Sequence, residues 1–232
     1  MRDTFTFLEV VRLIVLKDLA IELRSREIVY TTLFFAISCV LVFAFGLVRE
    51  GRAVEEAAPA ILWIAIAFSG TLAIGRTFER ERQNETLRAL LASPADRPAL
   101  YVGKLVGVLG LLAAVECVLV PLVALMFGGA FFSQLGMIVG LLALGSTGFA
   151  AVGTLFAAML LRSRSRDVLL PIVLYPITVP VIIAGVRGTA ALLQPEPAYA
   201  MARAWGAMLV CFDVVFITLA LWTFEAVMSD GA

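Results

Sequence analysis

Glu116 and Asp213 lie deep inside long apolar runs, and no Lys or Arg sits at comparable depth. An acid placed so takes up a proton, reaches a water-filled cavity or meets a partner subunit. The structural alternative is a hydrogen bond to a neighbouring hydroxyl such as Ser69, Ser146 or Thr218. A role in a transport path and a purely structural bond both fit this pattern. Other chemistry lacks its residues. The chain has no histidine, which most often ligates haem iron and which intramembrane hydrolases and zinc peptidases need. Cys39, Cys117 and Cys211 are odd in number and show no CxxC spacing, which argues against a disulfide framework or a zinc site and for small buried residues. The one Gly-Lys pair, Gly103-Lys104, is followed by Leu105 rather than Ser or Thr, so no phosphate-cradling GxxxxGK[ST] loop exists.

The densest polar stretch is "FERERQNETLRALLASPADR", residues 78 to 97. Its spacing predicts a short helix beginning near Asn84, with Leu87, Leu90 and Leu91 on one face and Pro94 enforcing an end soon after. Arg76, Glu79, Arg80 and Arg82 recur at three- and four-residue spacings, so the preceding helix can continue as a salt-bridged stalk. A solvated connector would account for the charges. The leucine stripe points further, to a ridge that docks in a groove of another protein.

The elements that carry these residues follow from composition. Of 232 residues, 62% are hydrophobic and 16% charged, with a mean hydropathy of +1.01, well above the apolar share of soluble domains. Six runs are long enough to cross a hydrocarbon core as helices, at about 28 to 48, 59 to 75, 100 to 127, 134 to 161, 168 to 186 and 202 to 228. They lack the alternation of barrel strands. The fold class is therefore all-α and polytopic, with six transmembrane helices. Residues 1 to 27 hold an interfacial helix at about 5 to 24, because Glu9, Arg12, Lys17, Asp18 and Glu22 would each cost roughly 2.5 to 3.5 kcal/mol at the bilayer centre. Glu9 with Arg12 and Glu22 with Arg26 stand at pairing distance on it. The N-terminus lacks the pattern of a cleaved signal, so the first span should stay in the mature protein.

Thirteen Lys and Arg fall in residues 1 to 27, 76 to 99 and 162 to 167, against three in the alternate loops. This places both termini, the loop 76 to 99 and the short tail 229 to 232 in the cytoplasm. Net charge is zero and the pI about 6.3, which gives no basic face for nucleic acid. No repeat or low-complexity linker divides the chain, so one bundle is expected. Gly103 and Gly107, Gly136 and Gly140, and the run Ala143, Thr147, Gly148 and Ala151 are small-residue stripes suited to close helix approach, within one bundle or at a dimer seam. Pro171, Pro176 and Pro180 remove donors from the fifth span, leaving either a kinked structural helix or a hinge.

The stretch "PAILWIAIAFSGTLAIGRTFERERQNETLRALLASPADRPALYVGKL", residues 59 to 105, resembles the cytochrome c maturation protein B family, the permease subunits of haem exporters. "LLPIVLYPITVPVIIAG", residues 169 to 185, resembles that family's fifth span, with Pro176 and Pro180 in register. The sequence departs from the family where Asn84 and Glu85 precede Thr86 and where Arg88 replaces a common acid. The resemblance implies an ABC-2-type exporter permease of the bacterial inner membrane, present in two copies. Its coupling helix would use Phe78, Glu79, Glu81, Asn84, Glu85, Thr86, Leu87, Leu90, Leu91 and Pro94 against an ATPase, cytochrome c maturation protein A. That partner would hold ATP and Mg. The implied further partners are the haem-handling protein C, the small protein D and the haem chaperone E, with membrane lipid around the bundle. No cofactor is assigned to this chain, haem being expected in the complex. A related permease exporting another small molecule or lipid, and a membrane scaffold without a motor, are the competing readings.

Overall fold

The computed structural model describes residues 6–49, 52–53, 55–77, 97–128, 130–161, 163 and 165–229. Helix α1 (Phe7–Ser25) carries a stripe four residues apart, Val10, Ile14, Asp18 and Glu22, of which all but the half-buried Asp18 are buried. This stripe faces α4 (Arg97–Phe127), and α2 (Glu27–Gly46) follows at an elbow where Arg26 is left-handed, φ 53°. Two of the backbone N–H groups left over at the start of α2, those of Ile28 and Val29, donate to Glu22 Oε1 at 3.0 Å each. The Glu22 carboxylate thus locks the bend. At the other end of α1, Glu9 accepts the Thr6 backbone N–H at 2.9 Å, half of a capping box.

Helix α3 (Ala58–Arg76) is the central rod, with 67% of its apolar stretch buried against 22% for α8 (Tyr199–Ser229). Around it pack α2, α4, α6 (Leu135–Met159) and α7 (Arg166–Leu192), while α6, α7 and α8 pack on one another. Trp63 of α3 fixes the centre. Its ring fills notches at Gly145 of α6 and Gly185 of α7, where an added Cβ would lie 2.3 Å from the indole in each case. The indole N–H donates to Thr189 Oγ1 at 3.0 Å. A buried Trp needs both a slot and an acceptor, and three helices supply them.

Six of these helices are long and apolar enough to cross a membrane, which makes the chain a multi-pass all-α membrane protein. At one end, α2 and α3 are joined through a two-residue antiparallel pair, Val48–Arg49 with Arg52–Ala53, and a 3-10 turn at Glu55–Ala57. The short α5 (Ala130–Ser133) lies nearby, and a cavity of about 480 Å³ opens among Glu55, Glu56, Phe127, Phe131, Leu193 and Pro195. The opposite end, called the α1 end below, gathers α1, the end of α3, the starts of α4 and α7 and the end of α8, where Tyr101 meets Phe224 at 5.3 Å.

Three details differ from the sequence expectations. The fifth long helix continues to Leu192, six residues past the apolar run, because Gly188 and Thr189 pack inward although exposed Arg187 interrupts the hydropathy. Cys117 and Cys211 are exposed on the outer faces of their helices rather than buried, as lipid accommodates apolar residues outside the protein as well as within it. Among the described residues Gly136 and Gly140 have nothing within 4 Å of an added Cβ, so of the two roles open to that stripe, close packing on the described helices is not the one it plays. Gly103 and Gly148, by contrast, are close-contact positions.

Candidate functional site

The leucine ridge of Leu87, Leu90 and Leu91 and the coupling residues around it that the resemblance implies, Phe78, Glu79, Glu81, Asn84, Glu85, Thr86 and Pro94, lie outside the described residues. The two roots of this stretch are described. Helix α3 ends at Arg76 with Thr77 beyond it, and α4 begins at Arg97. The last carbonyls of a helix lack the usual i+4 donor and carry partial negative charge; at α3 the Ile74 carbonyl accepts the Thr77 N–H at 3.1 Å, and other helices bring cations to this end. Lys104 of α4 donates to the Thr77 carbonyl at 3.2 Å and Arg166 of α7 to the Ile74 carbonyl at 3.4 Å. Both side chains are almost wholly buried.

Lys104 also pairs with Asp18 of α1, Nζ to Oδ2 at 2.8 Å. The approach is sterically arranged, since a Cβ at neighbouring Gly103 would lie 2.8 Å from Ile14 Cγ2. A second tie joins Arg76 to Glu27 at the start of α2, at 2.7 Å, but both are exposed and the pair is worth little by itself. Tyr101, one turn before Lys104, donates its hydroxyl to the Ala151 carbonyl of α6 at 3.0 Å. The roots of the 78 to 96 segment are thereby bound to α1, α2, α6 and α7.

The two acids of the spans are not brought together. Glu116 on α4 accepts a hydrogen bond from Ser146 on α6, one of the hydroxyls anticipated for it. Asp213 on α8 is buried against α6, where a Cβ at Gly148 would lie 2.5 Å from its Oδ1. That oxygen has no hydrogen-bond partner among the described residues. Ser146 and Gly148 are two positions apart, on different sides of the same helix.

Pro171, Pro176 and Pro180 lie inside a continuous α7. Each removes the donor that the residue four positions earlier would receive, so the carbonyls of Asp167, Ile172 and Pro176 lose their usual partner. The Thr178 hydroxyl donates to the Leu174 carbonyl at 2.9 Å. Beside this loosened stretch Tyr175 meets Thr71 of α3 at 3.2 Å between hydroxyls and lies edge-on to Phe68 at 5.8 Å. Among the described residues no group of three or more His, Cys, Asp or Glu could hold a metal ion.

From the sequence, Lys104 stood out only as part of the Gly103-Lys104 pair, Asp18 as one of several interfacial charges and Arg166 as one of the cations of residues 162 to 167. One signal was available: Asp18 continues the four-residue stripe of Val10 and Ile14, so it had to face the packed side of α1.

A family model described as CcmB protein matches residues 9–229. The chain is similar to heme exporter protein B of Paracoccus denitrificans, 29% identical over 199 residues, covering 83% of this chain and 85% of the relative. It is 24% identical over 177 residues to heme exporter protein B of Haemophilus influenzae, covering 76% and 78%. The protein of the same name from Pseudomonas aeruginosa is 26% identical over 175 residues, covering 75% and 77%.

Proposed function

The chain belongs to the CcmB family, and from that premise we propose that it is the permease subunit of an ABC-type haem export system serving c-type cytochrome biogenesis. The match over residues 9–229 carries this reading. The subunit sits in the bacterial inner membrane with both termini in the cytoplasm, as the thirteen-to-three distribution of Lys and Arg favours. It performs no hydrolysis. ATP and Mg reside on a partner ATPase, cytochrome c maturation protein A, which grips the coupling helix through Phe78, Glu79, Glu81, Asn84, Glu85, Thr86, Leu87, Leu90, Leu91 and Pro94. Proteins C and D and the haem chaperone E complete the system. Two copies of this chain form the permease, and the unfilled Gly136 and Gly140 offer a face for close helix approach between them.

The 232 residues contain no histidine, so haem iron is ligated by another protein of the system rather than by the commonest ligand here. This favours ATP-driven release of a haem-loaded chaperone over passage of free haem through the bundle. The test is the double variant Leu87→Asp with Leu90→Asp, a change in the cytoplasmic loop that leaves the spans untouched. We expect normal membrane abundance and at least a tenfold loss of co-purified or coupled ATPase. Unchanged ATPase binding and turnover would overturn the reading.

A further inference from the structure

Lys104 joins three separate stretches of chain. Its ammonium bonds Asp18 of α1 at 2.8 Å and the Thr77 carbonyl just past α3 at 3.2 Å, while its own backbone lies in the second turn of α4. Thr77 is the last described residue before the 78 to 96 segment, and α4 is the helix on its far side. The bond to Thr77 therefore ties the end of α3 to the start of α4, and the bond to Asp18 adds α1 to the tie.

We propose that Lys104 is a positioning residue that makes α1, the end of α3 and the start of α4 move as one body when the ATPase acts on the 78 to 96 segment. This rests on the permease reading above. A flexible base would let the segment swing without displacing the spans. With Lys104 in place, a push on the segment reaches α3, the most enclosed rod of the bundle, and reaches α1 at the same time. The packing around the junction supports a rigid contact. Gly103 brings Ile14 of α1 against the backbone of α4, and the carboxylate of Glu22 fixes the elbow by which α1 continues into α2. A methionine at 104 would fill most of the same volume and lose both bonds.

The test uses the full complex with its ATPase, comparing the native chain with Lys104→Met, Asp18→Asn and the exchanged pair Asp18→Lys with Lys104→Asp. Output is holo-cytochrome c formed per ATP hydrolysed, normalised to the permease present. A paired spin-label distance between Leu8→Cys on α1 and Val214→Cys on α8, both exposed positions and the second outside the proposed body, is read with and without ATP in a chain whose Cys39, Cys117 and Cys211 are replaced by alanine. We expect each single variant to keep ATP hydrolysis within about twofold, to lose tenfold or more of the output per ATP, and to lose the ATP-dependent distance change, with part of both restored in the exchanged pair. Single variants whose output per ATP and distance change equal those of the native chain would overturn the proposal while leaving the permease reading intact. A purely structural role would lower abundance with unchanged output per ATP, and that result also overturns it. If the native chain binds no ATPase, the permease reading fails and this proposal fails with it.

Discussion

The α1 end and the middle of the bundle accommodate buried charge differently. At the α1 end, Lys104 and Arg166 are buried to about 1% exposure and both reach carbonyls at the end of α3. In the middle, Asp213 is buried less completely, at 7% exposure, and its Oδ1 finds no partner among the described residues. The difference comes from helix geometry. A helix terminus leaves carbonyls unused and concentrates partial negative charge there, so a cation has something to bind. In mid-helix the backbone N–H groups are already bonded, and an acid depends on whatever side chain happens to face it. Glu116 meets Ser146; Asp213 meets a glycine. Polar groups tie the α1 end together, and shape holds the middle.

The largest test of that contrast is the removal of shape. Trp63→Ala would empty the slot between Gly145 and Gly185 and orphan the Thr189 hydroxyl, and it should cost about 3–5 kcal/mol in unfolding measurements in detergent. A loss below about 1 kcal/mol would mean that the middle is not held by this wedge.

Next comes the opposition of the two buried charges. Lys104→Met leaves the Thr77 carbonyl without its cation and Asp18 with the exposed Lys17 at 3.1 Å, and it should destabilise by about 2–3 kcal/mol, below the usual cost of a fully buried pair because Asp18 keeps 24% of its side-chain exposure and that second partner. Asp213→Leu replaces an unbonded carboxylate by an apolar group of similar shape, and it should be neutral or stabilising by about 1 kcal/mol. Opposite signs sharpen the comparison; equal losses break it.

Glu116→Gln should move stability by less than about 1 kcal/mol, since the amide oxygen can still accept from Ser146. If Glu116 also lines a transport path, transport falls at normal membrane abundance, and full transport activity would leave the bond to Ser146 as its whole role.

The smallest effect lies at the first turn of α1. The backbone N–H and the hydroxyl of Thr6 hold the Glu9 carboxyl below its ordinary value of 4.5. A depressed carboxyl contributes stability that is complete above 4.5 and is lost as pH falls through the lower folded value. Amide protection factors at the start of α1, measured against the intrinsic exchange rate at each pH, should therefore fall on acidification below 4.5, and Glu9→Gln should abolish that dependence.

Much of the fold was legible because lipid imposes a length and forbids charge. The apolar runs from 28 and from 100 become α2 and α4 within a few residues at each boundary, and no tertiary information is needed to place them. Residues 168 to 186 show where this fails: the helix extends through Arg187 to Leu192, since a charge at the end of a span is tolerated once its helix packs on neighbours. The Asn84 to Pro94 ridge was legible as a pattern, and it lies outside the described residues. The roots of that ridge were not legible, because Asp18, Thr77 and Lys104 are distant in sequence and one of the three acts through its backbone carbonyl, which no side-chain pattern reports.

The sequence by itself determined that this chain is a polytopic helical membrane protein, which runs become helices, and which family it resembles, because hydropathy and motif are properties of residues taken in order. Only the tertiary structure decided which polar groups are paired. It turned Lys104 from the second residue of an uninformative Gly-Lys pair into a junction of three helices, gave Glu116 a hydroxyl and left Asp213 Oδ1 against a glycine. The worth of a buried charge depends on what lies within about 3 Å of it, and that is set by how helices rotate and cross.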